Sequence, residues 1–170
     1  LKYYTNINGI STTAKDARAI FKGIEVIVKQ DAYLNAKRMT DPTENLHQIS
    51  LQLNYQLTKN IYLAGQTSFA NFGNAGAYAE GIVGVGLQSN YFMNDKINIF
   101  LQGLAGGAGG GNIDTGEGFI LKPSLGFNYK LNKKIALRSS AGFIKAIGGA
   151  LSSPSVNIGI SYRLSFLTSK

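Results

Sequence analysis

A chain of 170 residues corresponds to a single domain, and the absence of cysteine excludes a disulfide framework and thiolate metal sites. The formal net charge of +8 would by itself allow an acidic partner such as nucleic acid. No apolar run approaches the roughly 18 residues of a membrane-spanning helix.

The first 21 residues carry no clear strand pattern. The chain begins at Leu1 without a basic-then-apolar signal segment, so we expect that a leader was removed or that the N-terminus is incomplete. Residues 11–21 fit a short helix or an extended tail. We therefore predict an N-terminal segment over 1–21, which would act as a tail, a short helix or a plug at the mouth of the domain that follows.

Alternating apolar and polar residues predict eight β-strands after this segment. The last strand is the clearest, because every second residue from Val156 to Phe166 is apolar without a slip. The predicted strands are 23–35, 47–57, 61–70, 81–93, 97–106, 118–131, 135–145 and 155–167. Most have about 10–13 residues, enough to cross a bilayer at a tilt, whereas strands in soluble proteins average about 5–6.

A three-fold sequence repeat joins these strands in pairs. Residues 54–61, 90–97 and 128–135 share the pattern Asn-Tyr-x-(Leu/Met)-(Thr/Asn)-x-(Lys/Asn)-Ile. Each copy predicts a tight turn, and the turn residues are Lys59, Asn60, Asn94, Asp95, Asn132 and Lys133. The connections at the other end, about 36–46, 71–80, 107–117 and 146–154, are longer and rich in glycine or acidic residues. Short turns at one end and long loops at the other are typical of outer-membrane barrels.

Tyrosines recur on the apolar face close to the short turns. Their rings would form an interfacial girdle with the hydroxyls at the lipid headgroups. The predicted girdle comprises Tyr55, Tyr91, Tyr129, Tyr162 and Phe166. Together with the hairpin repeat and the aromatic last strand, this pattern resembles the OmpA/OmpX-type small outer-membrane β-barrels. The resemblance implies an all-β, eight-stranded antiparallel up-and-down transmembrane barrel over 22–167, preceded by a periplasmic segment and followed by a C-terminal tail at 168–170.

Eight strands enclose a lumen that side chains can just fill. The polar rows of the strands predict a lumen charge cluster of Glu25, Lys29, Asp31, Lys122, Arg138 and Arg163. Closure of the first strand on the last would bring Glu25 within about 6 Å of Arg163, Arg138 or both, because buried charges need partners. A filled lumen argues against a wide pore, although inward glycines such as Gly84 and Gly126 leave room for some cavity.

Charges outside the lumen differ in sign between the two ends of the predicted barrel. Lysines accumulate in the N-terminal segment and the short turns, which predicts a basic periplasmic rim facing anionic headgroups. Acidic residues, Glu80 among them, accumulate in the long connections. The predicted surface-loop contacts are Asp41, Glu44, Asp114 and Glu117. No base-stacking motif accompanies the positive charge, so we expect no nucleic-acid partner.

Two motifs point only weakly to catalysis. Asp114-Thr115-Gly116 matches the aspartic-protease triplet, but those enzymes pair two such aspartates, and here a single copy lies in a glycine-rich run that we expect to be a mobile surface loop. His47 is the only histidine, and Ser50 falls on the opposite face of its strand, which separates a base from a nucleophile. We therefore predict no enzyme, no metal site and no cofactor.

The sequence favours an integral protein of the bacterial outer membrane with a structural, accessory or surface-interaction role, alone or as a subunit of a larger complex. The expected partners are outer-membrane lipid, lipopolysaccharide and other outer-membrane proteins. Three alternatives stay open: a small-solute channel, a soluble lipocalin-like ligand-binding barrel with its apolar face turned inward, and a lipid A-modifying barrel enzyme.

Overall fold

The computed structural model describes residues 23–40 and 42–164. They form eight strands: β1 (Ile24–Ala36), β2 (Glu44–Gln56), β3 (Ile61–Phe72), β4 (Ala79–Gln88), β5 (Ile97–Gly109), β6 (Phe119–Lys130), β7 (Ile135–Ile147) and β8 (Ser152–Leu164). Each strand pairs antiparallel with the next and β1 pairs with β8, so the sheet closes into a barrel. The predicted fold class and strand order are confirmed. The described part of the chain contains no helix suited to crossing a membrane.

Strand alternation places the apolar rows outside the barrel and the polar rows inside it. Along β8, Val156 and Ile158 are 41% and 56% exposed, whereas Ser155 and Asn157, which alternate with them, are 1% and 7% exposed. The outward row of every strand contains apolar side chains, aliphatic on all eight strands and also aromatic on several. A barrel in water would bury its apolar row, so the alternative of a lipocalin-like barrel with an inward apolar face is wrong.

The first and third copies of the repeat form the tight turns that the sequence predicts, over residues 57–60 and 131–134. Thr58 Oγ1 accepts hydrogen bonds from the N–H groups of Asn60 at 3.2 Å and Ile61 at 3.0 Å. Asn132 Oδ1 accepts equivalent bonds from Lys134 and Ile135, both at 2.8 Å. In these two copies the Thr or Asn at this position therefore has a structural role, because its side-chain oxygen satisfies two turn N–H groups.

The second copy of the repeat forms a longer connection. β4 ends at Gln88 rather than at residue 93, and the chain crosses to β5 over residues 89–96. Met93, Asn94 and Asp95 adopt positive φ values of 50°, 58° and 58°, in the left-handed region that non-glycine residues seldom enter. Because β4 stops before Tyr91, this tyrosine is not on the apolar face of a strand. The end of the barrel with these three connections is called the turn end.

At the opposite end, called the loop end, the connections are shorter than predicted: 37–43, 73–78, 110–118 and 148–151. The glycine run expected to be a mobile loop lies partly in β5, which continues to Gly109. The connections also bond to one another: the Asp114 N–H donates to Lys37 O at 3.0 Å, and the Leu151 N–H donates to Asp114 O at 2.8 Å. The connections at this end are therefore short and hydrogen-bonded to one another, and together they form a compact lid.

An apolar cap closes the lumen beneath this lid. Its residues come from strand ends and from the connections, and each is at most 1% exposed: Tyr33, Leu46, Ala75, Tyr78, Ile113, Ile120, Ile144 and Leu151. Burying about eight such side chains stabilises the loop end through the hydrophobic effect. The predicted N-terminal segment 1–21, the tail 168–170, the loop residue Asp41 and the girdle residue Phe166 lie outside the described residues.

Candidate functional site

Polar side chains from all eight strands fill the lumen. Lys29, Asp31, Lys122 and Arg138 are at most 3% exposed, Glu25 is 8% exposed, and Arg163 is half-buried. The six residues predicted as one lumen cluster are thus all directed inward. They divide into three groups stacked along the barrel axis: a charged network below the apolar cap, an arginine platform below it, and a pair at the turn end.

The charged network consists of Lys29, Asp31, Glu80 and Lys122. Lys122 Nζ lies 3.3 Å from Asp31 Oδ1 and 3.3 Å from Glu80 Oε1, and Lys29 Nζ lies 3.8 Å from Asp31 Oδ2. Two ammonium groups therefore balance two carboxylates where water is excluded. Buried charges are tolerated only when paired in this way.

The sequence pattern places Glu80 in the connection 71–80 and outside the lumen, because the predicted fourth strand begins at residue 81. In the structure β4 begins at Ala79, and the Glu80 side chain is inward and 4% exposed. Its Oε1 accepts hydrogen bonds from Gln66 at 3.1 Å and Ser68 at 2.9 Å. The period of two that runs through Ile82, Gly84 and Gly86 extends back to Glu80, and this is the signal that would have identified it.

Two tyrosines join the charged network to the apolar cap. Tyr33 and Tyr78 donate their hydroxyl protons to Glu80 Oε2 at 2.6 Å and 3.2 Å. The Tyr33 ring also lies 4.7 Å from Lys122 Nζ, close enough for a cation–π contact. Burial, with the negative charge of Glu80 as a second cause, raises the pKa of Tyr78, which lies between β3 and β4. Tyr78 therefore stays a neutral hydrogen-bond donor.

Arg138 forms the arginine platform. Its guanidinium lies 3.4 Å from the centroid of the Phe100 ring and donates to Asn128 Oδ1, Gln102 Oε1 and the Tyr62 hydroxyl, each at 3.1 Å. No carboxylate of a described residue forms an ion pair with it. The predicted Glu25–Arg138 pair is thus not formed, because neutral oxygens and an aromatic face surround the guanidinium instead.

Glu25 and Arg163 meet at the turn end. They are partners in the β1–β8 register, and Glu25 Oε1 lies 3.8 Å from Arg163 Nη2, inside the predicted 6 Å. Arg163 also donates to the Tyr91 hydroxyl at 3.1 Å, and Lys130 Nζ lies 4.0 Å from the centre of the Tyr91 ring. The girdle position predicted for Tyr91 is therefore wrong: the longer connection folds its ring over the mouth of the lumen.

The inward glycines leave space that neighbouring side chains occupy. A Cβ at Gly86 would overlap the Tyr62 ring, and a Cβ at Gly159 would overlap the Lys29 side chain. A Cβ at Gly126 would meet the Phe100 ring at 2.6 Å. The cavity that these glycines suggested is therefore filled by the arginine platform and the charged network. Such a lumen is typical of eight-stranded barrels.

The outer wall presents an apolar belt with aromatic residues near the turn end. Tyr55 and Tyr162 are 50% and 40% exposed, and Tyr129 is half-buried on the same outward row. These three remain candidates for the predicted girdle. The predicted turn residues are exposed at the same end, and they are Lys59, Asn60, Asn94, Asp95, Asn132 and Lys133.

The acidic residues predicted as surface contacts have different environments. Glu44 pairs with Arg38 at 3.0 Å and also accepts a hydrogen bond from the Asn74 N–H at 2.8 Å, so its carboxylate joins two loop-end connections. Asp114 Oδ1 accepts from the Gly116 N–H at 3.3 Å, in a local turn. Glu117 is exposed. Of the three predicted contact residues that the structure describes, Glu117 is therefore the one most available to an external partner.

The residues considered for catalysis are separated by the barrel wall. His47 pairs with Ala32 on the outward row, whereas Ser50 is inward and 1% exposed, and its hydroxyl donates to Asp31 and lies within hydrogen-bonding distance of the Ser68 hydroxyl. No group of three potential metal ligands occurs among the described residues. This arrangement offers no nucleophile with an adjacent base at this position.

The chain matches no protein-family model and no curated protein in sequence. It is similar in structure to a de novo designed transmembrane β-barrel, at 14% identity and a TM-score of 0.59 over 84% of this chain and 95% of that one. It is also similar to Neisserial surface protein A, at 10% identity and a TM-score of 0.56 over 84% and 97% of the two chains. A third similar structure is the Yersinia pestis outer membrane protein Ail in a phospholipid bilayer nanodisc, at 13% identity and a TM-score of 0.52 over 84% and 99%.

Proposed function

We propose that the protein is a closed, non-conducting barrel of the bacterial outer membrane with a structural or accessory role. The premise is its fold, a closed eight-stranded antiparallel barrel that is similar to small outer-membrane barrels of the OmpA/OmpX type. It acts through its outer wall and its two ends, on lipid and on neighbouring outer-membrane proteins. The single observation that carries the proposal is the sealed lumen inside an apolar outer belt.

A solute would have to pass three obstacles in the lumen. The apolar cap excludes water at the loop end, the charged network is at most 4% exposed, and Arg138 is 1% exposed against Phe100. Opening a path would leave at least one carboxylate or ammonium without its partner in a low-dielectric interior, which is costly. The alternative of a small-solute channel is therefore disfavoured.

A catalytic role is disfavoured on different grounds. His47 and Ser50 lie on opposite sides of the wall, so the alternative of a lipid A-modifying enzyme lacks a matched base and nucleophile at the position where the sequence suggested one. A surface role, as the name of Neisserial surface protein A describes for that protein, is compatible with the exposed Glu117 and the compact lid.

Two measurements test the proposal. The full chain in its native membrane fraction is expected to migrate faster on gels before heating than after it, as closed outer-membrane barrels do, and to need detergent for extraction. In planar bilayers it is expected to give no stepwise conductance under conditions in which an open porin conducts. A monodisperse protein without detergent would refute the membrane location, and stepwise conductance would refute the sealed lumen.

A further inference from the structure

A groove of about 670 Å³ crosses the outer wall of the barrel between β5 and β1. Its floor is β7, where the outward residues are the small Ser139 and Ala141. Larger side chains of the two flanking strands form its walls: Leu125 and Phe127 of β6, and Val156 and Ile158 of β8. The strand register explains the shape, because each small floor residue is paired with a larger residue on both sides.

The groove is suited to a hydrocarbon chain. Its walls are aliphatic and aromatic, and it lies midway along β7 and β8, at the depth of the bilayer interior. Its outward polar side chains already have partners, since Ser139 Oγ donates to Asn157 O at 3.0 Å and the Gln30 amide forms two hydrogen bonds with Asn71 at 3.1 Å and 2.9 Å. An acyl chain can therefore cover them without leaving a hydrogen bond unmade.

A cation lies above the groove on the same strand. Lys145 is exposed, directed outward, and four residues beyond Ala141, which is about 13 Å along a strand at about 3.3 Å per residue. It precedes the loop end of β7 at Ile147 by two residues. No ion pair among the described residues includes it. An outward ammonium at this height is placed to attract an anionic headgroup of the outer leaflet.

We propose that this wall binds a phosphorylated lipid A-type glycolipid, with an acyl chain in the groove and a phosphate at Lys145. Charge complementarity favours this occupant over a second copy of the chain. Two copies sharing a membrane have the same orientation, so a two-fold contact through the groove would bring two Lys145 ammonium groups to the same height. The inference rests on the proposed membrane location and adds a specific lipid site to it.

The test uses the full chain folded in detergent micelles, titrated with bis-phosphorylated lipid A and with the same lipid after phosphate removal, and followed by native mass spectrometry. Wild-type protein is expected to retain one phosphorylated molecule. Ala141→Leu fills the floor and is expected to weaken retention of both lipids at least tenfold. Lys145→Gln is expected to weaken only the phosphorylated form.

Matched controls lie outside the groove. Ala105→Leu changes an outward alanine of β5, and Lys133→Gln removes a lysine at the turn end; both are expected to retain lipid A as wild type does. Ser139→Leu fills the same floor if Ala141→Leu does not fold. Equal retention by wild type and a folded floor variant, or a lipid-free dimer, would overturn the proposal. Heat-modifiable migration is recorded in parallel, so that a barrel that folds without binding lipid refutes the groove alone, whereas a chain stable without detergent refutes the membrane location.

Discussion

The Tyr62 ring occupies the space that a side chain at Gly86 would need. The two residues are partners in the register of β3 and β4, and a Cβ built on Gly86 overlaps the ring. Tyr62 is 1% exposed, and its hydroxyl donates to Gln102 and accepts from Arg138, each at 3.1 Å. The missing side chain on β4 thus allows an aromatic ring to hold the arginine platform in place.

Gly86→Ala is expected to destabilise the folded barrel by about 1–3 kcal/mol, because the added methyl group displaces a ring that is packed and hydrogen-bonded. The measurement is the urea midpoint of unfolding in detergent, read from heat-modifiable migration. Gly103→Ala is the matched control, since a Cβ at this outward glycine of β5 has no atom within 4 Å. A Gly86→Ala barrel as stable as the Gly103→Ala barrel would contradict the assigned contact.

Glu80→Gln is expected to cost about 3–5 kcal/mol of unfolding free energy, because Lys122 then keeps only Asp31 as a buried partner and the network carries excess positive charge. Glu117→Gln, at an exposed position, is expected to stay within about 0.5 kcal/mol of wild type. The free energies come from denaturant titration of both variants in the same detergent.

The double variant Glu80→Gln/Lys122→Gln separates pairing from simple loss of a polar group. If the two side chains are coupled as their 3.3 Å separation indicates, the double variant loses less stability than the sum of the two single variants. Additive losses would show that the two groups act independently, and that result would contradict the direct contact in the charged network.

Much of this molecule is predictable from its sequence because barrel strands obey a period of two. That period identified eight strands, the inward direction of Lys29 and Arg138, and the closure that brings Glu25 to Arg163. Local pattern is sufficient here, since the direction of a side chain depends only on its parity along the strand.

Contacts across the barrel are not local, and there the sequence was insufficient. Glycines at 81, 84 and 86 weaken the apolar signal of the fourth strand, so the pattern places Glu80 in a loop. The pattern places Tyr91 in a strand because its repeat copy resembles the other two. Residues 93–95 have left-handed backbone conformations that lengthen that connection, and no side-chain pattern predicts them. The neutral groups around Arg138 of β7 come from three other strands, β3, β5 and β6, so their meeting depends on how those strands are registered around the barrel.

Arg138→Lys is expected to destabilise the barrel by about 1.5–3 kcal/mol although the charge is kept. An ammonium cannot reach Asn128, Gln102 and Tyr62 together while stacking on Phe100, so at least one buried acceptor loses its donor. Unfolding free energy is the measurement. Lys133→Arg at the exposed turn end, with no expected loss, is the control for a conservative exchange of cations. An Arg138→Lys protein as stable as wild type would mean that the several hydrogen bonds of the planar guanidinium contribute nothing to the free energy of unfolding.

Asn132→Ala tests what the sequence repeat does. The change removes the acceptor for two turn N–H groups, and at about 0.5–1.5 kcal/mol for each bond the expected loss is about 1–3 kcal/mol. Asn132→Thr is expected to retain most of the stability, because Thr58 Oγ1 accepts the same pair of bonds in the first turn. The measurement is unfolding free energy, with Lys133→Ala as the neighbouring control. If Asn132→Thr were as unstable as Asn132→Ala, the repeat would have to be maintained by something other than this shared hydrogen-bonding role.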